Sequence, residues 1–137
     1  MKHLFIFVAL LFSLHSVKGQ KMICAACNLD TSTIIKIPLN TLLENLPNYD
    51  STLVDTKGEL IFGSELYSLF SLDKVNLKTS LNKALWINWS CIPRELLSNF
   101  ATPKAVRIKG IVRYYENGAG HLGKYIGTLE ILHIEYL

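Results

Sequence analysis

Apolar and polar residues alternate along several stretches of this chain with the two-residue period of a β-strand that is buried on one face. The clearest alternation runs through residues 105–115. Its apolar positions are Val106, Ile108, Val112 and Tyr114, with Gly110 in phase, and its other face carries Arg107, Lys109, Arg113 and Tyr115. This stretch predicts a strand with one face in a core and one face in water.

Four further stretches have strand character, at residues 52–62, 65–72, 84–89 and 124–137. In the last stretch the apolar phase slips between Ile131 and Leu132, which predicts a β-bulge or a strand covered on both faces. Gly58, in the middle of the first stretch, suits the sharp bend of a small barrel. The segment 116–123 is rich in glycine and predicts a loop between the last two strands.

Two short segments have helical character. Leu39, Leu42, Leu43 and Leu46 have the i, i+3, i+4, i+7 spacing of one helical face. Residues 93–100 begin with Pro93, which fits the first position of a helix, and carry an apolar edge of Leu96, Leu97 and Phe100. The second helix falls between the third and fourth strands.

The order strand, strand, strand, helix, strand, strand is the connectivity of an OB-fold. We therefore predict an all-β protein with a small α content: a five-stranded OB-fold-like barrel with a short N-terminal helix and one helix between strands 3 and 4. OB barrels bind ligands on one face and on the loops beside it.

The N-terminus has the features of a secretory signal. A short basic start is followed by an apolar stretch from Leu4 to Leu14, and Val17 and Gly19 fit the small residues before a cleavage point. We predict a signal peptide at 1–19, a Cys-containing segment at 20–33 and a barrel domain at 34–137. The protein would be exported, periplasmic or secreted, with lipid attachment at Cys24 as the less favoured alternative, and no segment of the mature chain is long enough to span a membrane.

The charge of the predicted mature chain is close to neutral. Removing residues 1–19 takes away Lys2 and Lys18 and no acidic residue, so 12 basic and 11 acidic residues remain, a net charge of +1. This balance does not favour a polyanionic partner, so nucleic acid is an unfavoured ligand.

Three cysteines, Cys24, Cys27 and Cys91, lie in the exported part. An oxidising compartment favours a disulfide, and the odd number leaves one thiol over. Cys24 and Cys27 also have the Cys-x-x-Cys spacing of a redox or metal-binding pair, to which Cys91 and His121 could add ligands. A disulfide, simple packing and a metal or redox site stay open as alternatives.

Short motifs carry a resemblance to known proteins. Leu39-x-x-Leu42, Tyr49 and Val54-Asp-Thr-Lys-Gly58, followed by Val106-Arg-Ile-Lys-Gly110 and Gly120-His-Leu-Gly-Lys-Tyr125, resemble a group of small, largely uncharacterised exported bacterial OB-fold-like proteins. The resemblance covers about residues 34–137. It implies the fold and the compartment, and it implies no activity.

The candidate ligand-binding residues lie on the fourth strand and near the Gly-rich loop. They are Trp86, Arg107, Lys109, Arg113, Tyr115, His121 and Tyr125. Basic residues next to aromatic ones are typical of OB barrels that bind single strands, but charges on a strand are more often its solvated face. His121 could bind a ligand, or its ring could cap the loop.

The chain contains no Gly-x-Ser-x-Gly, His-Glu-x-x-His or Walker motif. We therefore predict a non-enzymatic binding module without a cofactor, whose partner is a protein or an envelope component, in the manner of an immunity or inhibitor protein. The alternative is a metal-handling or thiol-redox protein that uses the Cys24/Cys27 pair.

Overall fold

The structure, a computed structural model, describes residues 22–23, 33–63, 67–72, 83–89 and 103–137. Its main elements are the strands β1 (Met22–Ile23), β2 (Ile35–Lys36), β3 (Leu53–Phe62), β4 (Tyr67–Phe70), β5 (Ala84–Asn88), β6 (Lys104–Ala119) and β7 (Tyr125–Tyr136), the helix α1 (Leu39–Glu44), and two 3₁₀ turns at Leu46–Tyr49 and His121–Gly123. The predicted helix at 93–100, the signal peptide and all three cysteines lie outside the described residues.

Five strands close into a barrel. β3 pairs with β4, β4 with β5, β5 with β7, β7 with β6, and β6 returns to β3. Every pair is antiparallel except β5 and β7. This connectivity is that of an OB-fold-like barrel, so the predicted fold class is confirmed.

The alternating residues predicted to be apolar fill the barrel. Val54 and Leu60 of β3 and Val106, Ile108 and Val112 of β6 are all fully buried. Their neighbours in sequence, such as Lys57 and Arg107, lie on the outer face because successive side chains of a strand point to opposite sides. Tyr114 departs from the prediction: it is 36% exposed.

α1 and the turn after it close the core on one side. Leu39, Leu42 and Leu46 are buried in the main core, and Leu43 packs against it, as the leucine spacing predicts. Pro38 stands at the N-terminal boundary of α1 in an extended conformation. Two short strands add to the barrel: β2 runs parallel to the start of β3, and β1 pairs with β7.

The predicted bulge in the last strand is present. Gly110 pairs with Ile131 while Lys109 pairs with His133, so Leu132 is the extra residue. Ile131 and Ile134 both reach the main core, which explains the slip in the apolar phase. Gly110 faces the carbonyl of Glu130 so closely that a Cβ would overlap it, and a side chain at this position would push β6 and β7 apart.

Two boundaries differ from the sequence-based prediction. β6 continues to Ala119 and does not end at Tyr115, and β4 ends at Phe70 and not at Leu72. A second irregularity makes the extension possible, because four residues of β6, 115–118, lie opposite the single residue Ile126 of β7. Within the described ranges, no helix combines the length and the apolar character that crossing a membrane requires.

Candidate functional site

The outer face of β4 and β5 carries a small aromatic cluster. Leu85 and Ile87 of β5 belong to the main core, so Trp86 between them points outward. Its ring lies edge-on to those of Tyr67 and Tyr125, with centroids 5.4 Å and 5.2 Å away. β4 and β5 are the second and third strands of the barrel, whose outer face holds the ligand in many OB-folds.

The far end of the β6–β7 hairpin lies against that face. The hydroxyls of Tyr125 and Ser68 are 2.6 Å apart, within hydrogen-bonding distance, and a Cβ on Gly120 would lie 2.6 Å from the indole ring of Trp86. Tyr125 is only 1% exposed. Tyr125 therefore secures the hairpin to the barrel, a role that the sequence did not predict, and its contact with a ligand stays a prediction that requires the hairpin end to move.

The β6–β7 hairpin ends in an exposed turn that has an unusual backbone conformation. Gly118, Gly120 and Gly123 all have positive φ, which glycine adopts at little cost. Leu122 also has a positive φ, 58°, and its side chain is 72% exposed. A leucine in this conformation costs roughly 1–2 kcal/mol. Because the side chain is exposed, no burial of apolar surface offsets this cost.

Two tyrosines extend the exposed surface towards the barrel. Tyr114 is 36% exposed and Tyr115 is 46% exposed. We call Tyr114, Tyr115, His121 and Leu122 the hairpin tip. His121 is exposed in the 3₁₀ turn. Leu122 is not among the residues that the sequence pattern singles out, although a leucine between His121 and Gly123 in a glycine-rich loop is a signal of an exposed apolar side chain.

The predicted basic stripe is largely committed to contacts within the chain. Arg107 donates two hydrogen bonds to the Asp55 carboxylate, at 2.8 and 2.6 Å. The Arg107 guanidinium holds the pKa of Asp55 below its ordinary value, and Asp55 raises that of Arg107. Arg113 donates to the hydroxyl of Ser51 at 2.7 Å. Lys109 lies across from Asp55 on one side and His133 on the other.

A neighbouring loop fixes the start of the hairpin's outer half. The backbone N–H of Tyr114 donates to the Asp50 carboxylate at 2.9 Å, and this bond lowers the pKa of Asp50. Ser51, the next residue, has a positive φ of 62°. The turn at 50–51 therefore anchors β6 where it leaves the barrel.

An open groove of about 560 Å³ lies on the outer side of β3 near Arg107. Its lining residues come from β2 and the start of α1, from the middle of β3, and from the segment after β4. Among them, Lys36 and Lys57 are exposed and form no ion pair with a described residue. The sequence pattern gave no signal of this groove, because its walls come from segments far apart in the chain.

The predicted site residues are thus divided between two places. Trp86 and Tyr125 lie with the hairpin, and Arg107 lies beside the groove. Seven residues of β6 lie between Arg107 and Tyr115, which are therefore roughly 25 Å apart along the strand. The structure therefore does not bring Trp86, Arg107 and Tyr115 together in a single binding face.

The described residues contain no group of three or more His, Cys, Asp or Glu side chains that could hold a metal ion. Among the described residues, His133 pairs with Glu135, whose Oε1 lies 3.0 Å from the His133 Nε2. Cys24, Cys27 and Cys91 lie outside the described residues. The metal and thiol alternatives therefore stay predictions.

No family model matches this chain, and no curated protein matches it. Among solved structures, the chain is similar to a putative aspartyl-tRNA synthetase from Leishmania major Friedlin, with 13% sequence identity and a TM-score of 0.46. The match covers 80% of this chain and 21% of that one, so the chain spans about a fifth of that protein's length. A likeness at this level gives no indication of function, and the resemblance to exported OB-fold-like proteins stays a prediction.

Proposed function

We propose that the protein is an exported, non-enzymatic binding module that holds a protein partner through its hairpin tip. The observation that carries this proposal is Leu122, an apolar side chain that is 72% exposed at a φ of 58°. Backbone strain that burial does not offset is typical of binding and catalytic positions. Export is supported by the basic start and the apolar stretch from Leu4 to Leu14.

The composition of the hairpin tip suits a protein partner. Tyrosines carry much of the energy at protein interfaces because they bring a large apolar area and a hydroxyl at low entropic cost. Tyr114 and Tyr115 are consecutive residues of β6 and are both exposed, so each face of the hairpin presents a tyrosine. The glycines at 118, 120 and 123 let the turn form without added bulk, so Leu122 and the tyrosines would meet a partner first.

The state of the outer face of β4 and β5, where OB barrels commonly bind ligands, supports binding at the hairpin tip. Trp86 and Ser68 are covered here by Gly120 and Tyr125 of the hairpin. A ligand on the outer face of β4 and β5 would have to displace this cover. A partner that approaches the tip meets no such cost. An immunity or inhibitor protein that blocks an exported enzyme is one form that such a module takes.

The test is recovery of a partner by the tagged protein from the cells that produce it. Leu122→Ala and Tyr115→Ala should each weaken capture about tenfold or more, in line with a truncated interface anchor. Lys83→Ala, an exposed residue at the start of β5, is the matched control and should leave capture unchanged. Equal capture by all four proteins would refute the role of the hairpin tip.

A further inference from the structure

Strand pairing leaves a short open edge on β3. On the side away from β6, β2 pairs with Val54 and Asp55, and β4 pairs with residues 59–62. Within the described ranges, residues 56–58 have no strand partner on this side. The groove of about 560 Å³ lies along this gap.

The backbone of Lys57 is the part of this edge that faces the groove. The carbonyl of Asp55 accepts a bond from Ile37, so Asp55 directs its backbone groups towards β2. Backbone groups alternate in direction along a strand. Lys57, two residues later, therefore directs its N–H and C=O to the same side as Asp55. The pairing with β2 has ended at this point, because Pro38 follows Ile37 and has no N–H to donate.

The charged side chains at the groove are mostly cationic. Lys36, Lys57 and Arg107 line it, and Asp55 is the one acidic residue among the described lining residues. Arg107 and Asp55 neutralise each other in their paired geometry, so the charges of Lys36 and Lys57 remain. An occupant with carboxylates would complement them.

We propose that this groove binds a short, extended, acidic peptide segment of a partner protein, which adds to the open edge of β3. Its backbone would bond to the N–H and C=O of Lys57, as in other cases of strand addition. Its carboxylates would pair with Lys36 and Lys57. The volume is within the range of sites that enclose small ligands. This site is separate from the hairpin tip, and peptide binding in the groove does not depend on the role proposed for the hairpin tip.

The probe is a blocked peptide in which valine and glutamate alternate, titrated into the isotope-labelled protein and followed by NMR. The amide signals of residues 55–58 should shift. Lys36→Glu and Lys57→Glu should each weaken binding about tenfold or more, since each replaces an attraction by a repulsion. Lys124→Glu, at an exposed lysine of the β6–β7 hairpin, is the control for overall charge, and Leu122→Ala is the control for the hairpin tip; both should bind as the wild type does.

Three results would overturn the proposal. The matching peptide with glutamine in place of glutamate could bind equally well, which would exclude carboxylate recognition. Inorganic phosphate could shift the same amides and abolish peptide binding, which would make the groove a site for free anions. No shift at residues 55–58 would exclude the edge of β3. If Lys57→Glu failed to fold, Lys36→Glu at the other wall would still decide the question.

Discussion

Leu122 combines a backbone conformation that is unfavourable for leucine with an apolar side chain that is exposed to water. Its φ of 58° favours glycine, and its side chain is mostly in water. Leu122→Gly should therefore stabilise the protein by about 0.5–1 kcal/mol, the relieved strain less the entropy that glycine loses on folding. Leu122→Ala keeps the strain and should not stabilise. Both variants lack the side chain and should lose the partner.

Urea unfolding of the two variants beside the wild type measures this difference. A variant that is more stable and yet fails to bind would show that the leucine is retained for binding. If Leu122→Gly were less stable than the wild type, the turn would favour leucine for its own sake. The assignment of Leu122 to a binding role would then lose its basis.

The ion pair of Asp55 and Arg107 predicts a stability that depends on pH. The pKa of Asp55 is lowered from its ordinary value of 3.8, chiefly by the hydrogen bonds from Arg107. The unfolded chain then binds a proton more readily than the folded one, so this contribution is present above about pH 4 and is lost as pH falls below it. The side chain of Asp55 is 4% exposed and that of Arg107 is 33% exposed.

Asp55→Asn should cost about 1–3 kcal/mol at pH 7, because it leaves Arg107 without its carboxylate. It should also reduce the fall in stability between pH 5 and pH 2. Glu44→Gln, which removes an exposed carboxylate from α1, is the control and should keep the wild-type pH profile. Thermal unfolding across this pH range makes the comparison. An Asp55→Asn profile parallel to that of the wild type would refute the linkage.

At the scale of elements, the β6–β7 hairpin depends on a contact between Tyr125 and Ser68. Both side chains are buried, and their oxygens are 2.6 Å apart. Tyr125→Phe should cost about 1–3 kcal/mol because Ser68 is left with a buried hydroxyl that has lost its partner. The double variant with Ser68→Ala should cost less than the sum of the two single changes.

Hydrogen exchange at residues 119–125 reports whether the hairpin end loosens. Tyr125→Phe should speed exchange there and leave β3 unchanged. Tyr115→Phe removes an exposed hydroxyl from the same hairpin and should change neither stability nor exchange. Strictly additive costs of Tyr125→Phe and Ser68→Ala would mean that the two hydroxyls do not act together.

The sequence predicted those strands and helices whose buried positions follow from the periodicity of the segment itself. Alternation located β3, β5 and the inner part of β6, and the slip at Ile131 located the bulge. It placed the end of β6 too early because Tyr115 and residues 116–118 are polar or glycine on both faces, as in a loop. The strand continues past them because Ala119 pairs with Tyr125 of β7, and the pattern of one segment does not contain that pairing.

At the scale of the whole molecule, closure of the barrel separates residues that the sequence analysis placed in one site. Trp86 turns out to contact the hairpin end, whereas Arg107 contacts Asp55 beside the groove. Among the described residues, the gap along β3 exists because β2 and β4 stop short of one another. Such a space depends on where loops end, which hydrophobic periodicity does not encode.

The central claim is that the hairpin tip meets a protein partner. Photo-crosslinking in the producing cells tests it most directly, with a photoreactive amino acid at the position of Leu122 and, in a second strain, at that of Lys83. We expect a discrete protein adduct from position 122 and none from position 83. No adduct from position 122, or the same adducts from both positions, would contradict the account.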